Sequence, residues 1–256
     1  MKKHKGRTAL VTGGSRGIGA AIVKKLAEQG VSFIGIHYSS DAEAVQRVLN
    51  SIRELGSDGV IIQADLKEGK KAADKIWTTF KTALEQNVES PGVDILVNNA
   101  GIAPGLLLEQ TTEADFDDIV DVNLKSPFFL IQRFSELLRE NGRIINISTG
   151  FTRIAGPTHV AYAASKGAIE TMTLALAPHF GPRNITVNTV VPGYTLTDMT
   201  RDWLANPDAT AFASSQSVFK RVGQPEDVAD VVALLASPTA RWITGQFIDA
   251  TGGARL

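Results

Sequence analysis

The chain contains no cysteine among its 256 residues. This absence excludes disulfide bonds, thiolate catalysis and zinc sites with cysteine ligands. Excess charge of one sign is also missing, since 26 basic and 27 acidic side chains give a formal net charge of -1. We therefore expect neither nucleic acid nor a membrane surface as a partner. No metal site is expected either, because His37 and His159 have no carboxylate or second histidine at ligand spacing.

Long apolar runs are missing as well. The first apolar run follows a basic tip in MKKHKGRTALVTGG and soon ends at glycines, so it is far too short for a signal peptide or a bilayer crossing. No repeat, low-complexity tract or Pro/Ser-rich linker divides the chain. We therefore expect a single catalytic domain over residues 1–256 in the cytoplasm, with the 43% of apolar residues forming a sizeable core.

Two patterns alternate regularly along the chain. Short β-branched runs are typical of strands covered on both faces, and segments with helical spacing, such as 18–29, lie between them. The strands are predicted at residues 8–11, 31–36, 60–63, 94–97, 143–147, 185–191 and 246–250. This alternation predicts an α/β fold: a Rossmann-type, doubly wound, mostly parallel seven-stranded sheet with helices on both faces.

Residues 194–224 interrupt the alternation. The stretch is polar and apolar by turns and lacks a clean period, so we expect an irregular lid that covers a substrate. Its large apolar side chains could cover an acyl chain or a ring, or could simply pack the lid down. They are Tyr194, Met199, Trp203, Leu204, Phe212, Val218 and Phe219.

A glycine-rich loop follows the first predicted strand and opens the first helix. Gly13, Gly17 and Gly19 let the backbone turn sharply, and the free N–H groups of the helix start favour an anion. A tight turn is the simpler reading, but a strand before the loop and a helix and second strand after it favour a dinucleotide site. No acid occupies positions 36–40, and Arg16 lies in the loop. Both features favour NADP(H) over NAD(H), unless Arg16 is only a solvated loop charge.

The motif YAASK places Tyr162 and Lys166 four positions apart, on one face of a helix. A tyrosine has a pKa of about 10, and a neighbouring ammonium favours the phenolate and lowers that pKa. Tyr162 would then serve as a general acid or base. Hydroxyls at Ser148 and Thr149, and the NNAG motif that begins at Asn98, end other predicted strands, so we expect them at the same sheet edge.

Together these motifs make the sequence resemble the short-chain dehydrogenase/reductase family, of the classical type, and its 3-oxoacyl-carrier-protein reductase-like members. The resemblance covers residues 12–253. It rests on TGGSRGIG, QAD, NNAG, the asparagine of DVNLKSP, YAASK, PG at 192–193 and ITGQFIDATGG, which occur at family spacing and in family order.

The resemblance implies roles for four catalytic residues, Asn123, Thr149, Tyr162 and Lys166. Tyr162 would pass a proton to the carbonyl oxygen, Lys166 would lower the pKa of the tyrosine and hold the nicotinamide ribose, and Asn123 would support a water. It also implies a set of cofactor contacts, which Tyr162 and Lys166 would share. These are Gly13, Ser15, Arg16, Gly17, Ile18, Gly19, His37, Tyr38, Ser39, Asp65, Leu66, Asn99, Ala100, Gly101, Pro192, Gly193, Thr195 and Thr197.

Two departures from the family pattern bear on these roles. The usual catalytic serine is Thr149 here, with Ser148 one position earlier. We expect Thr149 to provide the hydroxyl because neighbouring strand residues face opposite sides, although a bend in the strand could present Ser148 instead. Pro178 and His179 stand where relatives commonly carry a basic residue and a glutamate, in a helix that helps to build an oligomer interface in the family. The resemblance implies a homotetramer, and this departure weakens that expectation.

The resemblance implies an oxidoreductase that reduces a 3-oxoacyl thioester, ketone or aldehyde with NADPH. Two alternatives remain open: a sugar or alcohol dehydrogenase of the same family, and a catalytically weak NADP-binding regulatory protein. The substrate would be a small molecule or would be bound to an acyl carrier. Arg133 and Arg183 are candidates for carrier docking near the expected entrance, or are solvated charges.

Overall fold

The computed structural model describes residues 3–254 of the chain. All seven predicted strands are present, with bounds that differ by a few residues from those expected. The largest difference is in the fifth strand, which begins at Leu138 and shifts register against its neighbour between Val93 and Ile95. The strands are β1 (Thr8–Val11), β2 (Phe33–Tyr38), β3 (Asp58–Gln63), β4 (Val93–Asn98), β5 (Leu138–Ile147), β6 (Thr186–Pro192) and β7 (Phe247–Ala250).

The strands form one sheet in the order β3-β2-β1-β4-β5-β6-β7. Every neighbouring pair is parallel, which confirms the Rossmann-type sheet and makes it entirely parallel. The chain order reverses between β1 and β4, and open α/β sheets bind ligands outside the carboxyl ends of the strands at such a point. The loops that follow β1, β4, β5 and β6 therefore lie at the same edge of the sheet.

Helices cover both faces of the sheet and leave two apolar cores. Leu26, Ile52 and Val232 lie in one core with Val11, while Phe80 and Phe134 lie in the other. Both faces of β1, β2 and β6 are thus buried, as their continuous apolar runs predicted, whereas the edge strands β3 and β7 are only partly buried. The helices are α1 (Gly17–Glu28), α2 (Ala42–Glu54), α3 (Lys70–Asn87), α4 (Glu113–Val120), α5 (Ser126–Phe134), α6 (Val160–Phe180), α7 (Arg201–Leu204), α8 (Pro207–Gln216) and α9 (Pro225–Ala236).

The helix ends follow local sequence signals. Asp41 caps α2, since its carboxylate accepts the Ala44 N–H at 2.8 Å. Pro225 occupies a first-turn position of α9, where a proline costs no hydrogen bond. Pro127 lies at the start of α5, directly after the π-helical turn Asp121–Lys125. Among the helices within residues 3–254, none is long and apolar enough to cross a membrane.

The expectation of an irregular stretch over residues 194–224 is wrong, because α7 and α8 lie within it. α8 buries only Ala213 of its ten residues, so its sequence PDATAFASSQ carries no apolar period that could reveal a helix. The start of α8 is defined instead by its cap and its first turn. The Asn206 side chain accepts the Asp208 N–H at 2.8 Å, and Pro207 lies in the first turn.

Candidate active site

The loop between β1 and α1 needs glycine for steric reasons. Gly13 and Gly17 have φ angles of 64° and 52°, which side chains rarely tolerate. A Cβ at Gly19 would overlap the Gly13 carbonyl oxygen and lie 2.6 Å from the Asn99 amide nitrogen. The half-buried Ser15 and Ile18 complete the turn. Because its glycine positions lack side chains, the loop forms a cradle in which a ligand can approach the backbone closely.

The amino end of α1 is suited to an anion. No side chain within residues 3–254 caps it, and its first turn contains no acid, so its N–H groups and the positive end of the helix dipole are available to a phosphate. Arg16, at the cap position, has a side chain that is 62% exposed and lies 4.0 Å from the Asp198 carboxylate. Thr197 approaches Gly17, within 3.3 Å of a Cβ built there. The loop and the 194–224 segment therefore meet.

His37 does not face the cleft as a cofactor contact would. It is 2% exposed, accepts the Gly13 N–H through Nδ1 at 3.1 Å, and contacts the Ala64 carbonyl through Nε2 at 3.1 Å. Burial lowers the pKa of His37 to about 4, so the ring is neutral and Nε2 donates. The prediction of direct cofactor binding is wrong for this side chain, which instead joins the glycine loop to the end of β3.

The neighbouring predicted contacts differ in exposure. Tyr38 is 7% exposed and packs into the core, so its ring cannot reach a cofactor in the cleft. Ser39 is exposed at the end of β2. Asp65 is exposed as well and caps the turn after β3, whereas Leu66 is buried in the core. The Leu66 side chain therefore does not reach the cleft, and its carbonyl accepts the Ser126 hydroxyl at 2.7 Å.

Thr12 organises the start of the cleft, and the sequence patterns did not single it out. Its hydroxyl accepts the N–H groups of Asn99 and Ala100 at 3.0 and 3.1 Å. The Asn99 amide donates to the Thr12 and Gly13 carbonyls at 2.9 and 3.2 Å. The Asn99 side chain, predicted to flank a cofactor, thus fastens the end of β4 to the glycine loop.

Lys166 and Asn123 approach each other beside Gly101. A Cβ at Gly101 would lie 3.2 Å from both the Asn123 Oδ1 and the Lys166 Nζ. Asn123 is fully buried, and its amide pairs with the Ile102 N–H and carbonyl at 2.9 Å each. It lies in a π-helical turn, Asp121–Lys125, a local form that occurs often at functional sites.

Lys166 is buried, whereas Tyr162 is half-buried. Burial raises the pKa of Tyr162 above its ordinary value of 10.0, and a hydrogen bond with Thr149 opposes the rise. Burial lowers the pKa of Lys166 to about 8, and its ammonium donates to the Ile147 carbonyl at 2.8 Å. The net pKa of Tyr162 is therefore raised, opposite to the lowering expected beside Lys166, because desolvation outweighs the other effects.

Ser148 and Thr149 point to different partners, as strand alternation predicted. Thr149 faces Tyr162 and accepts the Phe151 N–H at 3.3 Å. Ser148 donates to the Glu170 carboxylate at 2.7 Å, on the other side of the strand end. Thr152 contacts the same carboxylate oxygen at 2.8 Å, so Glu170 fixes the backbone on both sides of Thr149.

The chain after β6 closes another side of the cleft. Pro192 is buried at the end of β6, and a Cβ at Gly193 would lie 2.8 Å from the Thr251 carbonyl oxygen. Thr195 is 5% exposed and donates to the Gly193 carbonyl at 3.1 Å. The Pro192–Thr197 segment is therefore at the predicted edge, although the Thr195 hydroxyl is engaged in its own turn.

Aromatic rings surround Tyr162. His159 and Phe151 stack with centroids 4.8 Å apart, and Phe151 contacts Tyr162 and Tyr194 edge to face at 6.5 and 6.1 Å. Burial lowers the pKa of His159, so this ring is neutral at pH 7. Phe151 and His159 were missed as site residues, because ring packing between a loop and a helix has no sequence period.

Neither basic residue proposed for carrier docking presents a free charge at the entrance. Arg133 pairs with the Asp74 carboxylate. Arg183 precedes β6 and donates to the Ser135 carbonyl at 2.6 Å and to the Leu138 carbonyl. Since Leu138 begins β5, Arg183 lies at the amino ends of the strands, opposite the cleft, and the prediction of its place is wrong.

Comparisons with known proteins agree with this geometry. A family model described as Enoyl-(Acyl carrier protein) reductase matches residues 13–255. The chain is 39% identical to versicolorin reductase stcU of Emericella nidulans, over 97% of this chain and 96% of that protein. It is 37% identical to the 3-oxoacyl-[acyl-carrier-protein] reductase FabG of Staphylococcus aureus, over 96% and 97%. The solved angucycline C-6 ketoreductase LanV with bound NADP is 41% identical, with a TM-score of 0.92 over 99% of this chain and 98% of that one.

Proposed function

The chain belongs to the short-chain dehydrogenase/reductase family, and from this premise we propose that it is an NADPH-dependent reductase that converts a carbonyl group to an alcohol. The observation that carries the proposal is the meeting of Thr149, Tyr162 and Lys166 at the sheet edge where the glycine loop opens. The names of the relatives, which include an acyl-carrier-protein reductase and an angucycline ketoreductase, support carbonyl reduction as the reaction.

The residues of the cleft fit NADPH. The glycine cradle and the amino end of α1 would hold the pyrophosphate, and Arg16 would hold the 2′-phosphate, since Asp41 is engaged in capping α2. Asp65 and the Leu66 backbone would meet the adenine. Bound NADPH supplies the hydride. The solved relative with bound NADP supports this choice of cofactor.

Tyr162 acts as the general acid. Its raised pKa keeps the phenol protonated at neutral pH, which suits donation of a proton to the carbonyl oxygen as negative charge develops there. The Thr149 hydroxyl donates a second hydrogen bond to the same oxygen. Both groups act on one atom, which orients the carbonyl and stabilises the developing charge.

Lys166 and Asn123 assist Tyr162 without contacting the substrate carbonyl. The Lys166 ammonium offsets the negative charge that remains on Tyr162 after proton transfer, because the buried setting strengthens electrostatic interactions. Asn123, which is buried and paired with the Ile102 backbone, would hold a water that returns the proton. This relay remains our proposal.

Consumption of NADPH with a panel of carbonyl compounds tests the function. The panel should contain a 3-oxoacyl thioester, ketones and aldehydes, and the reverse direction should be followed with alcohols, sugars and NADP+. Oxidation of NADPH with at least one carbonyl is expected. Tight NADPH binding without turnover on any of them would favour a regulatory NADP-binding protein instead.

Replacing Gly19 by alanine should block the phosphate cradle. The added Cβ overlaps the Gly13 carbonyl, so the loop must move, and overpacking of this kind costs roughly 1–3 kcal/mol, or up to about a hundredfold in NADPH affinity. Titration of protein fluorescence with NADPH measures the change.

Gly181→Ala is the matched control for this variant. Gly181 has a right-handed helical conformation and open space where its Cβ would stand. It also lies before β6, at the opposite end of the sheet. Equal NADPH affinity in the Gly19 and Gly181 variants would contradict the placement of the phosphates.

The reduction rate should fall as the pH rises through about 8. Burial lowers the pKa of Lys166 from 10.5 to about 8, so the ammonium loses its proton above that value, and its support for Tyr162 is lost. We expect kcat at saturating NADPH to decline about tenfold per pH unit beyond pH 8. Rates from pH 6 to pH 10 measure this; a flat profile to pH 10, with NADPH still saturating, would refute the role of Lys166.

Assembly and location remain predictions. A homotetramer is supported by apolar side chains exposed on helices that could meet a second copy, with Phe128 of α5 and Leu174 of α6 exposed by 46% and 51%. Light scattering in solution would show whether the mass is four times that of the chain. The single catalytic domain, the lid role of residues 194–224 and a cytoplasmic location also stay proposals, the last testable by fractionation.

A further inference from the structure

A continuous set of rings, here named the aromatic wall, extends from the proton donor to the lid. It is formed by Phe151, His159, Tyr162, Tyr194, Trp203 and Phe212. Tyr194 contacts Trp203 at 5.3 Å and Phe212 at 6.0 Å, and Phe151 joins Tyr194 to Tyr162. The wall contains two of the three tyrosines of the chain. Tyrosine is thus concentrated around the Tyr162 hydroxyl.

The wall is a surface and not part of either apolar core. Trp203 and Phe212 are 43% and 48% exposed, and Phe151, His159 and Tyr194 are half-buried. None of these five belongs to the two buried clusters of the sheet faces. Ring faces and edges that are neither packed in a core nor fully solvated offer contact area to a ligand.

The inner part of the wall is held in place before any ligand arrives. A Cβ at Gly156 would stand 2.7 Å from the Phe151 ring, so the loop backbone rests directly on that ring. The His159 ring covers Phe151 with an interplanar angle of 16°. The Leu106 N–H donates to the Thr158 carbonyl at 2.8 Å, which ties this loop to the chain after β4. Such fixed rings lose little freedom on binding.

We propose, building on the reductase function above, that the substrate is a planar ketone with fused aromatic rings. Its carbonyl would meet Thr149 and Tyr162, and its rings would stack on or meet the edges of Phe151 and Tyr194. Aromatic pairs gain from offset stacking and edge-to-face contact beyond the area they bury. A flexible acyl chain gains none of this, and the engaged Arg133 and Arg183 give no support to a docked carrier protein.

Three probes with saturating NADPH separate these substrate classes: 2-tetralone, 2-decalone and the acetoacetyl thioester of N-acetylcysteamine. The first two have similar size and a carbonyl that is not conjugated with a ring, but only 2-tetralone carries a planar aromatic ring. We expect kcat/KM for 2-tetralone to exceed that for each of the others by roughly tenfold or more.

Variants show whether the wall causes the preference. Tyr194→Leu and Phe151→Leu should each reduce the 2-tetralone to 2-decalone ratio by roughly threefold to tenfold, while Tyr194→Phe, which keeps the ring, should preserve it. Trp242→Leu is the control, since Trp242 is 95% exposed and precedes β7 at the far end of the sheet. Thermal unfolding and NADPH affinity show that each variant is folded.

A binding measurement that needs no turnover keeps the two proposals separate. In the presence of NADPH, with which neither alcohol can react, 2-naphthol should bind roughly tenfold more tightly than decahydro-2-naphthol. Tight naphthol binding without reduction of any carbonyl would refute the reductase and leave the aromatic site. Reduction with a tetralone to decalone ratio near one, preference for the thioester, or equal binding of the two alcohols would overturn the aromatic proposal and leave the reductase.

Discussion

Tyr162→Phe should retain the affinity for NADPH and lose nearly all carbonyl reduction. The change removes only the hydroxyl that we propose as the proton donor, and a positioned general acid contributes about a hundredfold to ten-thousandfold to a rate. The ring remains in edge contact with Phe151, so the packing of the site is preserved. Single-turnover mixing with NADPH separates the chemical step from cofactor release.

Tyr38→Phe is the matched control for this variant. It removes a phenol from a ring that is 7% exposed and packs into the apolar core. Its turnover should stay within a few fold of that of the unchanged protein. Normal turnover in the Tyr162 variant would remove the chemical basis of the proposed reaction.

Thr149→Val should lower kcat by about a hundredfold to a thousandfold, which is the usual cost of losing one donor to a developing oxyanion. Valine keeps the shape of threonine and removes the hydroxyl that hydrogen-bonds Tyr162. Thr149→Ser, which keeps a hydroxyl without the methyl group, should restore most of the rate.

Ser148→Ala is the decisive comparison. This hydroxyl donates to Glu170 at 2.7 Å, so its loss should reduce stability by about 1 kcal/mol and change kcat far less than the Thr149 change does. Steady-state kinetics and urea unfolding of the two variants measure both effects. A larger loss of kcat in the Ser148 variant would move the catalytic hydroxyl to Ser148.

The sheet could be predicted because its signals are local. β-branched runs mark each strand, and turn residues such as Asp41 and Pro225 mark helix starts at the positions that the structure shows. The divergence of Ser148 and Thr149 followed from strand alternation, and the two side chains do point to different partners, whereas the preference for Thr149 rested also on the family position of the catalytic hydroxyl.

Other features depend on contacts between distant residues. His37 meets Gly13 and Ala64, which are 24 and 27 positions away, so nothing near it in sequence distinguishes a buried support from an exposed ligand contact. The pKa directions of Tyr162 and Lys166 are set by burial, whereas the spacing of YAASK suggested only their mutual charge effect. α8 could not be predicted because it buries only Ala213, and a helix with so little buried surface needs no apolar stripe in its sequence.

The wide turn at Asp121–Lys125 joins α4 and α5 into one uninterrupted spiral. Compared with regular winding, such a bulge holds an additional residue, and one residue corresponds to roughly 100° of rotation around the axis. Deleting one residue there would restore ordinary winding and swing Asn123 away from Lys166, while both flanking segments stayed intact. A single-codon deletion would therefore separate folding from the proton return that we propose for Asn123.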